Sequence, residues 1–128
     1  MTDKIKNDNY WANICKLVIL CGLGVRILLG LALDLAPDEA YYWEYSRRLD
    51  WSYYDHPPMV GYLIAIGCLL LGNTVAGIRF FAWLEIAILS WILFVIGRDF
   101  IGSAKVGCIA ALILHLIPAG LALGFIMT

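Results

Sequence analysis

Four apolar runs divide the chain, and each is close to the length of a membrane-spanning helix. They lie at about residues 14–35, 59–75, 79–97 and 106–127. A helix of about 20 predominantly apolar residues crosses the hydrocarbon core of a bilayer. No Asp, Glu, Lys or Arg occurs between His56 and Ile78 or after Lys105. The pattern predicts an all-α integral membrane protein with about four transmembrane helices.

The first apolar run predicts a retained membrane anchor. Arg26 interrupts the run, and no convincing cleavage site follows it, which argues against a signal peptide. With four crossings, the basic residues divide equally between the two sides and give no orientation. The short basic leader favours a cytoplasmic amino terminus. We therefore expect a multi-pass protein of the plasma (inner) membrane, with an extracytoplasmic loop at about 36–58.

Composition agrees with this prediction and excludes several classes of protein. Hydrophobic residues make up 62% of the chain and charged residues 15%, whereas soluble domains are about half apolar and a quarter charged. The net charge of −1 argues against a nucleic-acid-binding protein, which would present a basic face. The four cysteines lie within apolar runs without CxxC spacing, so neither a disulfide framework nor a metal site is indicated.

The loop between the first two runs is the most polar part of the chain, and it contains "DEAYYWEYSRRLDWSYYDHPP" at residues 38–58. Pro37 suits the first turn of a helix, and Asp38 and Glu39 suit the positive end of its dipole. A short helix is therefore predicted as far as Leu49. Its Tyr and Trp side chains have apolar rings with polar tips, which suits the headgroup depth of a bilayer. We expect this helix to lie at the membrane surface.

Two interpretations of the loop remain open on residue spacing alone. One is a solvated loop with a belt of aromatic side chains. In the other, Asp38 and Asp55 come close together where the chain leaves and re-enters the bilayer. With His56, these carboxylates could provide a general base and its partner, or ligands to a divalent metal cation.

The loop also resembles that of a known family. "PDEAYYWEYSRRLDWSYYDHPPMVGYLI" is similar to the first extracytoplasmic loop of the GT-C membrane glycosyltransferases, in the branch related to protein O-mannosyltransferases and aminoarabinose transferases. The resemblance extends to "LGNTVAGIRFFAWL" and "GRDFIGSAKVGCIAALI", so it covers most of the chain after residue 20. It rests chiefly on an Asp-Glu pair before Tyr-Tyr-Trp, followed later by Tyr-Asp-His-Pro-Pro.

The resemblance implies a fold and a reaction. The chain would be the amino-terminal part of a larger GT-C bundle of membrane helices, with first-loop helices lying on the outer surface. The reaction would move a sugar from a polyprenyl-phosphate donor to a hydroxyl group of a lipid, glycan or protein acceptor. A single displacement of this kind inverts the anomeric centre. No nucleotide-binding glycine motif is needed, and none is present.

The resemblance also implies roles for particular residues. Asp38 matches the acidic residue that acts as the catalytic base, and Asp55 matches the one that lies in the same site. Glu39, Tyr41 and His56 are candidates for substrate binding. Asp55 and His56 could together hold a divalent metal cation, the one cofactor that the family leaves open.

Charged residues within the apolar runs have structural and functional interpretations. Arg26 and Glu85 are placed near the middle of their predicted spans, where neither is expected to face lipid, and they could pair inside the bundle. Alternatively, Arg26 or Arg79 could bind the phosphate of a lipid substrate. Arg79 could also be an anchor at the membrane surface. His115 fits a packed residue better than a ligand.

Two other functions remain open on the sequence alone. A small helix-bundle partner without catalytic activity is the first alternative, and a transporter is the second.

The chain ends on an apolar run, "GLALGFIMT", which predicts an amino-terminal piece of a longer family member. We therefore expect the 128-residue chain to be inactive by itself.

Overall fold

The computed structural model of the protein describes residues 2–54 and 56–117, apart from the side chains of Thr2 and Asp3. Within these ranges the fold consists of five α-helices without strands, so the prediction of an all-α protein is confirmed. The helices are α1 (Thr2–Ala32), α2 (Pro37–Ser46), α3 (Met59–Leu71), α4 (Val75–Asp99) and α5 (Ala104–Leu116).

Two of the predicted spans are helices long and apolar enough to cross a membrane. They are Lys4–Ala32 within α1, with 29 residues, and α4, with 25 residues. At 1.5 Å per residue these helices measure about 44 and 38 Å, more than the roughly 30 Å thickness of the hydrocarbon core. By length and composition, both helices could therefore cross a bilayer, and α1 also includes the polar leader.

The other two predicted spans are not confirmed. Helices α3 and α5 have 13 residues each, or about 20 Å of helix. The stretch predicted to cross at 59–75 ends early because Gly72 has a φ of +77°, in the left-handed region that terminates helices. The span predicted at 106–127 continues beyond the end of α5, and its part from residue 118 onwards lies outside the described residues.

The chain divides into two compact units. The first contains α1 up to Val25, α4 from Glu85, and α5. Its core is formed by Cys15, Phe94, Ala104, Cys108 and Ala111. His115 is buried in this unit, and its Nε2 lies 3.1 Å from the hydroxyl of Ser90. His115 is therefore a packed residue, as the sequence predicts.

The second unit contains α1 from Arg26, the whole of α2 and α3, and α4 up to Leu84. Its core is formed by Tyr42, Ile64, Ile78 and Ala82, with Leu35, Trp43, Tyr45, Val60, Leu63, Cys68 and Phe81 packed around them. The aromatic side chains of α2 that were expected at headgroup depth therefore include one buried ring and two that pack against the core. A Cβ on Gly67 would overlap the carbonyl oxygen of Gly77, so α3 and α4 approach backbone to backbone.

Candidate functional site

The first turn of α2 separates the two carboxylates of the predicted acidic pair. Ala36 is extended (φ −65°, ψ 152°) and Pro37 occupies the first helical turn, as the sequence predicts. The backbone N–H of Ala36 donates to Oε2 of Glu39 at 2.9 Å, which closes the helix start. Glu39 is 0% exposed, whereas Asp38 is exposed. Neighbouring acids thus lie in opposite environments.

Glu39 forms a buried, two-pronged ion pair with Arg79 near the start of α4. Nε of Arg79 donates to Oε1 of Glu39 at 2.8 Å, and Nη2 donates to Oε2 at 2.5 Å. Both side chains are almost fully buried, with exposed fractions of 3% for Arg79 and 0% for Glu39. This parallel arrangement is the strongest hydrogen-bonding geometry between an arginine and a carboxylate.

The same guanidinium closes the carboxyl-terminal end of α1. Nη1 of Arg79 donates to the carbonyl oxygens of Gly30 and of Leu33, the latter at 3.1 Å, and Nη2 donates to that of Asp34 at 2.9 Å. The last carbonyls of a helix have no partner within the helix, and they attract cations. We call this arrangement the Glu39–Arg79 clamp, because it joins the end of α1 to the starts of α2 and α4.

The clamp occupies every hydrogen-bond donor of Arg79. A guanidinium has five N–H groups, and five bonds to protein oxygens are present. Arg79 would have to give up one of these bonds in order to donate to a lipid phosphate. The geometry therefore supports a structural role, and the predicted contact of Arg79 and Glu39 with substrate stays a prediction.

His56 packs against the side of α2 that carries Tyr41 and Tyr42. Its ring meets the ring of Tyr42 edge-on, with centroids 5.1 Å apart, and that of Tyr41 at 6.4 Å. The hydroxyl of Tyr42 lies 3.5 Å from both ring nitrogens, which is long for a hydrogen bond. Because Asp38 precedes Tyr41 and Tyr42 by three and four residues, it projects from the same face of the helix. The structure thus brings His56 close to Tyr41, and helix periodicity places Asp38 on the same side of α2.

Two tyrosines hold the loop that returns from α2 to His56. The ring of Tyr53 stacks on that of Tyr45 at 3.8 Å, and its hydroxyl lies 2.9 Å from the carbonyl oxygen of Tyr45. The hydroxyl of Tyr62 in α3 donates to the carbonyl oxygen of Asp50 at 2.7 Å. Neither Tyr53 nor Tyr62 is among the residues that the sequence predicts for the site. The sequence shows that this short loop is rich in tyrosine, but it does not show which rings stack.

Asp55, the second predicted catalytic carboxylate, lies outside the described residues. Its approach to Asp38 and its use as a metal ligand with His56 stay predictions. Among the residues that the structure does describe, no three His, Cys, Asp or Glu side chains are grouped to hold a metal ion. Of the two predicted metal ligands, only His56 lies in the described part of the site.

The charges predicted within the spans lie in different units. Arg26 is 2% exposed and belongs to the second unit, whereas Glu85 is exposed and belongs to the first. Their pairing stays a prediction. The burial of Arg26 agrees with the expectation that this cation does not face lipid.

Comparison with known proteins places the chain in a family. A family model described as dolichyl-phosphate-mannose-protein mannosyltransferase matches residues 55–128, which is more than half of the chain. The match starts at the Asp-His-Pro-Pro segment and includes Arg79, and the acidic pair at Asp38 and Glu39 precedes it. No curated protein and no solved structure matches the chain.

Proposed function

Because the chain belongs to the dolichyl-phosphate-mannose-protein mannosyltransferase family, we propose that it takes part in sugar transfer from a polyprenyl-phosphate donor to a hydroxyl acceptor. The acceptor hydroxyl belongs to a lipid, a glycan or a protein. One observation of the site carries the assignment of roles: the clamp buries Glu39 and leaves the neighbouring Asp38 exposed on a fixed helix start.

In this proposal Asp38 is the catalytic base. Its carboxylate accepts the proton of the acceptor hydroxyl while the hydroxyl oxygen attacks the anomeric carbon of the sugar. The bond from that carbon to the phosphate oxygen breaks, and polyprenyl phosphate leaves with the bonding electron pair. One displacement of this kind inverts the anomeric centre. The site needs no nucleotide, because the activated sugar arrives on a lipid.

The departing phosphate gains negative charge and needs a positive partner. The five donors of Arg79 are already used within the clamp, so we assign this role to Arg26, the other buried cation of the second unit. A divalent cation held by Asp55 and His56 would supply further Lewis-acid stabilisation when bound. We assign substrate binding on the Asp38 face to Tyr41, which is half-exposed.

We also propose that both α2 and α3 lie on one side of the membrane. Arg79 near the start of α4 is bonded to carbonyls at the end of α1. If α1 and α4 both cross, these two helix ends share a side, and the chain between them must begin and end there. The short length of α3 supports the same arrangement. The extracytoplasmic loop would then extend from about residue 33 to residue 74, in a multi-pass protein of the plasma membrane.

This topology predicts the outcome of cysteine labelling. In a variant without the four native cysteines, Asn73→Cys is expected to react with a membrane-impermeant maleimide from the same side as Asp50→Cys. Lys6→Cys is expected to react from the opposite side. Four crossings would instead place Asn73 with Lys6. Labelling of Asn73→Cys and Lys6→Cys from one side would therefore contradict the proposed loop.

The proposed function is tested with a lipid-linked donor in membranes of cells that produce the protein from its own gene. A photoreactive polyprenyl-phosphate mannose is expected to cross-link to the chain between residues 33 and 74, and unlabelled donor should compete. Deletion of the gene should abolish transfer from radiolabelled donor. A partner without catalytic activity predicts no cross-link in this loop, and that result would overturn the proposal.

A further inference from the structure

A cleft between the end of α2 and one side of α3 combines a cationic side chain with an apolar wall. Its volume is about 290 Å³, and its lining consists of Ser46, Arg47, Ala65, Cys68, Leu69 and Asn73. Arg47 follows the last residue of α2, whereas Ala65, Cys68 and Leu69 belong to α3. The cleft is open to the surroundings and lies within the second unit.

The guanidinium of Arg47 is held in place but weakly neutralised. Its Cζ lies 5.1 Å from the centroid of the Trp43 ring, a distance at which a cation is attracted to an aromatic face. Its carboxylate partner Glu44 is 3.5 Å away, and the same carboxylate lies 3.7 Å from Arg48. Two cations therefore share one exposed carboxylate, and such surface pairs contribute little. Arg47 can accept another anion without breaking a strong bond.

The apolar side of the cleft continues onto an exposed surface of α3. Leu69 in the cleft is 84% exposed, and Ile66 and Leu70 beside it on the helix are 46% and 61% exposed. Side chains three and four residues apart lie next to one another on a helix. A membrane protein covers such a surface with the acyl chains of lipid. The cleft thus has a site for an anionic group beside a surface for a hydrocarbon chain.

We propose that this cleft binds an anionic phospholipid, with its headgroup phosphate on Arg47 and an acyl chain along Leu69. The position excludes the donor phosphate of the proposed reaction. Nine residues separate Arg47 from Asp38, which is about 14 Å along a helix. Nine residues are also about two and a half helical turns, so Asp38 and Arg47 project from opposite faces, and a phosphate attacked beside Asp38 is on the wrong side of the helix for Arg47. The cleft is therefore a second lipid site, and it does not depend on the proposed activity.

Cys68 provides a reporter of occupancy, because its partly buried thiol lines the cleft. Cys21→Ser removes the exposed thiol and leaves the buried Cys15 and Cys108. The full chain in phosphatidylcholine nanodiscs is alkylated with and without phosphatidylglycerol. Phosphatidylcholine also carries a phosphate, but its choline cation neutralises that charge. The net negative headgroup of phosphatidylglycerol is therefore expected to slow the alkylation of Cys68 by about fivefold.

Arg48→Gln is the matched control for Arg47→Gln. Both remove one positive charge beside Glu44, but only Arg47 lines the cleft. Arg47→Gln should abolish the protection by phosphatidylglycerol, Arg48→Gln should keep it, and Arg47→Lys should restore part of it. Equal rates for Cys68 in pure phosphatidylcholine would verify that the variants keep the fold.

Three results would overturn the proposal. The first is no effect of phosphatidylglycerol on Cys68. The second is equal loss of protection in Arg47→Gln and Arg48→Gln, which indicates a general effect of surface charge. The third is equal protection by soluble glycerol phosphate, which indicates a site for free anions and no lipid.

Discussion

Asp38→Asn is expected to reduce sugar transfer by about 10²–10⁴-fold, the usual contribution of a positioned general base. Asparagine keeps the shape of the side chain but cannot accept the proton of the acceptor hydroxyl. The loss should appear in kcat at saturating donor, with a small change in KM, because a base acts on the transition state. The measurement is transfer from radiolabelled polyprenyl-phosphate mannose in membranes of cells that produce the protein.

The fold should tolerate this change. Asp38 is exposed, and its carboxylate contributes to the helix mainly through the dipole, which is about 0.3–1 kcal/mol. Asp34→Asn is the matched control, since Asp34 is also exposed and only its backbone carbonyl contacts the clamp. It should retain activity. Full activity in Asp38→Asn would remove the base from the mechanism and favour the interpretation as a non-catalytic partner.

Local features of the chain could be predicted because they depend on neighbouring residues. The start of α2 follows from Pro37 and the acidic pair, and the turn before α4 follows from the Gly-Asn-Thr at residues 72–74. Thr74 caps α4 by accepting the N–H of Gly77 at 3.1 Å. The apolarity of α1 and α4 likewise appears in the sequence, whereas the start of α1 does not, because the helix includes the polar leader and begins at Thr2.

The length of α3 could not be predicted in the same way. The chain lacks Asp, Glu, Lys and Arg from His56 to Ile78, which indicates a span by composition. Much of that stretch is not α3, however, because the His-Pro-Pro segment precedes Met59 and the turn at Gly72 follows Leu71. Absence of charge limits where a helix can be buried, but it does not determine how long the helix is.

The partner of Glu39 could not be predicted either. Glu39 and Arg79 are 40 residues apart, and no periodicity relates them. From the sequence, Asp38 and Asp55 were predicted to be the catalytic pair, and Arg79 was a candidate to bind a lipid phosphate. The clamp instead explains why the acidic pair has two members: one carboxylate fixes the helix start, and the other is left accessible.

Breaking the clamp on one side is expected to destabilise the second unit by about 3–5 kcal/mol, because the remaining charge stays buried without its counter-ion. Glu39→Leu leaves the guanidinium with only carbonyl partners. Arg79→Met leaves a buried carboxylate and removes the donors to Gly30, Leu33 and Asp34. Denaturant unfolding followed by proteolysis within residues 33–74 measures the loss.

The double variant Glu39→Leu/Arg79→Met should be more stable than either single variant, since it removes both buried charges. Its recovery should be incomplete, because the carbonyls at the end of α1 still lack their donors. The exposed pair of Glu44 and Arg47 is the control: its single variants should change stability by roughly 0–1 kcal/mol. Additive losses in the Glu39 and Arg79 variants would contradict a coupled pair.

Conservative replacements separate the charge of the clamp from its shape. Arg79→Lys keeps a cation, but an ammonium has three donors where the guanidinium has five, so it cannot reproduce the bonds to two helices at once. Its stability is expected to lie between that of the wild type and Arg79→Met. If the clamp also positions Asp38, transfer by Arg79→Lys should fall through kcat even under conditions where the protein remains folded. Wild-type kcat in a destabilised Arg79→Lys would limit the clamp to holding the fold.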